Sequence, residues 1–399
     1  MKLFDIAYYV NDKISSNDIK LSEYITTDSI LPNKGGIESA KKMPPSPCNL
    51  IAFKKGDVLI SNIRPYLKKI WFAEFKGGCS SDVLVIRARN DNMSKYLYSV
   101  LLQDSFYSYI MKSAKGSKMP RGDKEFIMNF PILNIKNKYL VGEFIGNISE
   151  KIALNFSINQ ILESMAKQLY DYWFVQFDFP DENGCPYKSS GGEMIWSEEL
   201  KREIPKGWRI KKISDILTLS KQSIKPLKSS NKVYKHYSIP EYDKSGTYAN
   251  ELGDLINSDK FVVKENNILV SKLNPWVSRV IWGQDLEDLI CSTEFMVWEP
   301  NKYEYKGFLY MLAKSKSFIA YCTQAATGTS NSHKRVSPNY VLNYKIAFND
   351  YIVERFYKTI DYMQTLIVGN IENNSYLRNL RDELLPLLMN GQVSIKTED

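Results

Sequence analysis

Residues near 54–170 recur, in order, near 264–380. Lys54, Leu59, Ser61 and Pro65 return as Lys264, Leu269, Ser271 and Pro275, and Tyr66 and Lys69 return as Trp276 and Arg279. Cys79-Ser80-Ser81-Asp82 returns as Cys291-Ser292-Thr293-Glu294. Leu97, Tyr98, Phe106, Tyr109 and Gly116 return as Leu309, Tyr310, Phe318, Tyr321 and Gly328, and Glu143, Asn159 and Leu169 as Glu354, Asn370 and Leu380. The shift stays between 210 and 212 residues, so insertions are few and the halves share one fold. A fold written twice in one chain suggests an object that meets its partner at two places.

Composition narrows the class. The chain has 399 residues, room for two or more domains with their own cores. Its five cysteines are dispersed, with no CxxC, and read as reduced cytosolic thiols rather than a disulfide or zinc frame. Two histidines, His236 and His333, leave little for metal chemistry, and no metal site is expected. No apolar run approaches a membrane span and no signal peptide is read, so the expected location is the cytoplasm. The net charge of +8 is a modest bias toward polyanions. Basic residues cluster more tellingly. Residues 209–235 hold eight Lys or Arg against Asp215 alone, and residues 112–124 hold five against Asp123 alone. Both read as loops or loop-rich edges. One such run is ordinary solvated surface; one in each half points toward nucleic acid.

The expected fold class is α+β. Residues 57–64 and 81–89 read as strands, and 93–114 has helical spacing, with Leu97, Leu101, Phe106 and Ile110 on one face. Each α+β unit precedes a long helical pattern. In the first, Ile158, Leu162, Met165, Leu169 and Tyr172 step as a heptad seam, and in the second Leu377, Leu380, Leu384 and Leu387 do so. Pro386 should end or bend the second helix. A helix of such length spans roughly 54 Å. Asn159 and Asn370 fall near the seams, either as buried register-setting residues or as polar residues at the seam edge. The divisions are 1–139, 140–177 (helix), 178–205 (connector), 206–350, 351–392 (helix) and 393–399 (tail). The connector is rich in turn formers yet carries Trp196, so it is expected to be ordered and docked on the helices.

The segment LYDYWFVQFDFPDENGCPYKSSGGEMIWSEELKREIPKGW (169–208) resembles the central conserved region of the specificity subunits of type I restriction–modification systems. The ending LRDELLPLLMNGQVSI is similar to that family's C-terminal conserved region, and SNIRPYLKK (61–69) and GSKMPRGDKEFIMNFPI (116–132) add weaker likeness. The resemblance spans the chain. It implies two target-recognition domains, each reading half of a bipartite DNA site, separated by two antiparallel helices acting as a spacer. It implies two modification (methyltransferase) subunits, which methylate adenine at N6, and recruitment of restriction (translocase–nuclease) subunits in host defence. S-adenosylmethionine, ATP and Mg would sit on those partners, with no cofactor and no catalytic residue in this chain. One departure is the start: Lys2, Asp5 and Ile6 match Lys212, Asp215 and Ile216, with no counterpart of Pro205–Trp208.

The residues agree with a non-enzyme. There is no Asn/Asp-Pro-Pro-Tyr/Phe motif and no phosphate loop. For double-stranded DNA, phosphates call for Lys and Arg, and base edges for Arg, Lys, Asn, Gln or His. The first-half candidates are Lys115, Lys118, Arg121 and Lys124. The matching second-half loop offers Ser330, Asn331, His333, Lys334 and Arg335. Arg64, Lys68 and Lys69, with Lys272, Trp276 and Arg279, are second candidates, because their block repeats as a fold feature. Tyr66 and Trp276 could stack on DNA, but core packing is expected. Tyr170, Tyr172, Trp173 and Phe174 are candidates for the subunit interface or for cover by the connector. Two other readings stand beside this one. A duplicated coiled-coil scaffold would show no salt-dependent DNA affinity. An S-adenosylmethionine-dependent enzyme would bind that cofactor by itself.

Overall fold

The computed structural model describes residues 1–116, 118–229, 231–328 and 333–395. It divides into two compact units, Met1–Asn155 with Asn373–Asp399, and Phe156–Glu372. The boundary falls inside both long helices, Lys138–Tyr170 and Asp350–Met389, so each unit owns a stretch of each helix. The second helix runs through Pro386 to Met389 rather than ending there.

In the first unit a four-stranded antiparallel sheet has the order Ala7–Tyr9, Val83–Ala88, Val58–Ser61, Ile70–Phe72. All four residues of Val58–Ser61 are buried, because this central strand is covered on both faces. A second sheet sets Lys13–Ser15, Asn49–Phe53, Gly77–Cys79 and Tyr24–Ile25 side by side. The helical stretch after it is two helices, Ser94–Leu102 and Asp104–Ser113, broken where Gln103 turns extended. Leu97, Leu101, Phe106 and Ile110 are all buried, together with Val141 and Ile145 of the first long helix and Leu385 and Leu388 of the second.

The second unit repeats this frame in register. Val58 opposes Ile86 in one copy, and its counterpart Ile268 opposes Trp298 in the other. Cys79 and Cys291 are fully buried at equivalent positions, and burial pushes the Cys79 thiol up to about 12. Residues 209–235 contain the strands Arg209–Lys212 and Leu217–Leu219, so much of that basic run is sheet edge. Strand Arg209–Lys212 pairs with Lys345–Phe348. In the first unit the Leu3 N–H donates to Phe130 O at 2.9 Å, and the Asp5 carboxylate accepts from Lys2 N–H at 2.7 Å, as Asp215 does from Lys212. The shorter start therefore docks with the same cap.

The helix seam follows the large apolar side chains only in part: Leu162, Leu169 and Leu384 pack against the cores. Met165, Tyr172 and Leu387 are exposed, whereas Asn155, Ala166, Asn374, Arg381 and Leu385 are buried. Small and polar residues hold the seam positions that the apolar tracing misses. In the first unit Asn155 Nδ2 donates to Asn374 Oδ1 at 2.9 Å, and Asn374 Nδ2 donates to Ile152 O at 3.2 Å. In the second, Asn370 Nδ2 donates to Asn159 Oδ1 at 2.8 Å, and Asn159 Nδ2 to Ile367 O at 3.1 Å. Asn159 thus meets its own repeat counterpart. Such amides fix register, since any slip leaves them unpaired.

The connector is ordered within the second unit. Phe179 stacks on Tyr187 at 4.8 Å and lies 5.3 Å from Trp208. Arg355 of the second long helix donates to Pro180 O at 3.1 Å. Trp208 is buried, but Trp196 is exposed, its indole N–H held by Glu198 at 2.9 Å.

Candidate nucleic-acid interface

In the first unit, strand Val58–Ser61 runs out into the turn 62–69. Beside it the chain forms a hairpin stem: Lys115 and Arg121 exchange backbone hydrogen bonds at 3.0 Å in both directions. Arg64 N–H donates to Pro120 O at 2.8 Å, which ties turn and hairpin together. Gly116 has φ +101°, a conformation L side chains rarely adopt, so it supplies the reversal. At the hairpin base, Arg121 reaches Asp82 at 3.2 Å.

The second unit builds the same object from different letters. Thr327 and Arg335 exchange backbone bonds at 3.0 and 2.8 Å, and Asn274 N–H donates to Lys334 O at 2.7 Å. A Cβ on Gly328 would lie 2.4 Å from His333 O, so the chain closes only with glycine there. Arg335 grips Glu294 through Nε at 2.9 Å and Nη2 at 3.0 Å. Asp82 and Glu294 are repeat counterparts, so each copy clamps its hairpin with one arginine–carboxylate pair. In sequence this pair shows only as the Asp82–Glu294 match, which has meaning once Arg121 and Arg335 stand beside it.

The candidates divide accordingly. Arg64, Lys115, Lys118, Arg121 and Lys124 are exposed on the first unit. Among the described residues no ion pair engages Arg64, Lys115, Lys118 or Lys124. Arg64, Lys115 and Lys118 present positive charge on connected loops, and Lys124 opens the short helix Lys124–Met128. Lys68 is drawn to Asp104 at 2.8 Å, where Lys34 also binds at 3.0 Å. Burial opposes ionisation of Asp104, yet these two lysines hold it below the ordinary carboxylate value. Lys69 donates to Thr27 O at 2.5 Å, and burial lowers its ammonium from the usual value. Arg279 forms a two-pronged pair with Asp243 at 2.6 and 2.8 Å and is nearly buried. Lys68, Lys69 and Arg279 thus belong to the frame.

On the second hairpin His333 and Arg335 are exposed and Lys334 is half-buried; Lys272 is half-buried beside them, with its carbonyl accepting from Val336 N–H at 3.1 Å. Ser330 and Asn331 lie outside the described residues. Tyr66 and Trp276, expected in the core, are instead 50% and 43% exposed.

Of the four aromatic interface candidates, Tyr170, Trp173 and Phe174 are buried by the chain itself. The first long helix ends in a π turn, Asp171–Val175, closed by Gln176 N–H to Asp171 O at 2.8 Å. The wider turn points consecutive residues inward, and Phe174 packs 4.7 Å from Phe308, 4.9 Å from Phe356 and 6.0 Å from Trp208. Tyr172 alone keeps an outward face, near exposed Met165. Among the described residues no cluster of His, Cys, Asp and Glu could hold a metal ion, and no helix is long and apolar enough to cross a membrane.

Residues 205–337 match the family model described as type I restriction modification DNA specificity domain. The chain is 22% identical over 375 residues to the type I restriction enzyme MjaIX specificity subunit of Methanocaldococcus jannaschii, covering 88% of this chain and 80% of that protein. It is 23% identical to the HindI specificity subunit of Haemophilus influenzae, covering 98% of each. The crystal structure of a type I restriction–modification system S subunit from M. genitalium shares its fold, with a TM-score of 0.56 at 14% identity over 97% of this chain and 95% of that one.

Proposed function

From matches that together indicate a specificity subunit of a type I restriction–modification system, we propose that this chain reads an asymmetric, bipartite site on double-stranded DNA. Each unit takes one half-site through its clamped hairpin. The observation that carries this reading is the same arginine-clamped stem built twice, carrying exposed Lys115 and Lys118 in one copy and His333 and Lys334 in the other. A shared frame with different letters suits two half-sites of different sequence.

Specificity subunits are non-catalytic members of their complexes. Here the long helices would set the gap between half-sites and dock two modification subunits, with Tyr172 and Met165 as outward contacts. Those subunits would hold S-adenosylmethionine and methylate adenine at N6 in the cytoplasm. Restriction subunits would join through the assembly and bring ATP and Mg.

The test is to co-express the chain with the methyltransferase encoded beside it and map methylated adenines by long-read sequencing. Two short, unlike half-sites around a fixed gap are expected. Inserting one heptad into each helix should lengthen that gap and leave the half-sites unchanged. A palindromic motif would refute the asymmetry. A stable complex with no new methylation and no salt-dependent DNA affinity would favour a protein-binding scaffold.

A further inference from the structure

Two large aromatic side chains stand exposed on rigid turns at equivalent places in the two copies. Tyr66 lies in the single helical turn Pro65–Leu67, between Arg64 and Lys68, both left-handed with φ 51°. Trp276 lies in Pro275–Val277, between Asn274 and Ser278, left-handed at φ 49° and 54°. Left-handed backbone is unfavourable for any residue with a Cβ, and each turn holds two such residues. Both turns are locked. The prolines are buried at the first helical position, and Lys68 N–H and Ser278 N–H close the turns on Pro65 O and Pro275 O at 2.9 and 3.0 Å. Each turn is also stitched to its basic hairpin, by Arg64 N–H to Pro120 O and by Asn274 N–H to Lys334 O. The rings themselves are unengaged: among the described residues neither Tyr66 nor Trp276 makes a ring contact, cation contact or hydrogen bond.

Each turn packs through its buried proline, but the ring it carries is left unpartnered in both copies. We infer that Tyr66 and Trp276 are DNA-contacting residues, each an aromatic wedge stacked against a base step of the half-site that its hairpin addresses. Charge places them correctly, since exposed Arg64 and Lys118 flank Tyr66's turn and Lys334 flanks that of Trp276. A turn already held rewards stacking, because no loop entropy is lost on contact. The inference rests on the reading of the hairpins as DNA-binding and adds an interaction that carries no charge.

That difference makes it testable. The full chain, in complex with its modification subunits, is titrated at several salt concentrations with a duplex carrying the mapped motif. Tyr66→Ala and Trp276→Ala should each weaken affinity about 5- to 150-fold, with the slope of log K against log salt unchanged, because every phosphate keeps its cation. Tyr66→Phe and Trp276→Phe should bind like the parent. Unfolding midpoints should stay put for all four, since the rings are outside the core. If the alanine variants bind like the parent while Lys115→Glu with Lys118→Glu does not, the wedge is overturned and the hairpin reading stands. A fall in unfolding midpoint that tracks the weaker binding would overturn it too, by making the rings structural. If the parent itself shows no salt-dependent DNA affinity, both readings fall.

Discussion

Asn155 and Asn374 meet amide to amide between the two long helices, 2.9 Å apart and almost wholly buried. Asn374→Leu strands a buried Asn155 amide. It should cost about 1–3 kcal/mol in urea unfolding. Asn155→Leu with Asn374→Leu should recover most of that loss, since two apolar partners leave nothing unpaired. A single variant as stable as the parent would show that the pair does not hold the register.

Lys306 predicts a pH dependence. It is fully buried, its ammonium donating to the Glu265 and Gly283 carbonyls over the Trp282 ring at 3.9 Å. Burial pulls it down to about 7 from an ordinary 10.5. Between those values the unfolded chain binds the proton that the folded chain sheds. Stability should therefore rise from pH 7 toward 10, by at most about 1.4 kcal/mol per pH unit, and this contribution should level out below 7, where both states are protonated. Melting temperature against pH, compared between the parent and Lys306→Met, isolates this contribution: the variant's curve should be flatter over that range. Parallel curves would mean that the lysine stays charged in its carbonyl cage.

The first hairpin should act through charge. Lys115→Glu with Lys118→Glu should weaken motif-bearing and scrambled duplexes alike and reduce the salt slope by about 1 for each phosphate no longer neutralised. Unequal effects on the two duplexes would assign these lysines to base reading.

Glu294 neutralises Arg335 at the base of the second hairpin. Glu294→Ala should free that guanidinium, raise affinity for scrambled DNA and narrow the preference for the motif, while the Thr327–Arg335 backbone bonds keep the hairpin closed. Weaker binding to every duplex would instead mean that the carboxylate orders the loop.

The repeat made the shared fold legible, because apolar positions such as Leu59 and Leu269 recur with their strand and are buried in both copies. The helices were legible as helices but only partly in phase, with Leu162, Leu169 and Leu384 on the packed side. Large side chains such as Met165 and Leu387 look like seam residues, whereas the buried line includes Asn155, Ala166 and Asn374, whose polarity or size carries no apolar signal. Of the candidate site, charge clustering singled out Lys115, Lys118 and Arg121, which stand exposed. It could not separate a free cation from one consumed by the frame, because the partners of Arg279 and Lys69 lie far away in sequence, at Asp243 and Thr27. The same nonlocality misplaced Tyr66 and Trp276: recurring aromatics look like core, yet both are exposed on turns flanked by left-handed residues. Consecutive inward residues at Trp173 and Phe174 needed a π turn, which has no sequence period to betray it.

The two hairpins are alike at their anchors and unlike between them. Beyond the shared Gly116 and Gly328 the letters of the two differ, and each stem is backbone-paired and arginine-clamped. Vocabulary and grammar are thereby held on separate parts of the chain. On the proposed reading, a new interval that kept Gly116 or Gly328 and the backbone bonds at Pro120 or Lys334 would leave the sheets and helices beneath as they are, so a change of address need not be a change of fold.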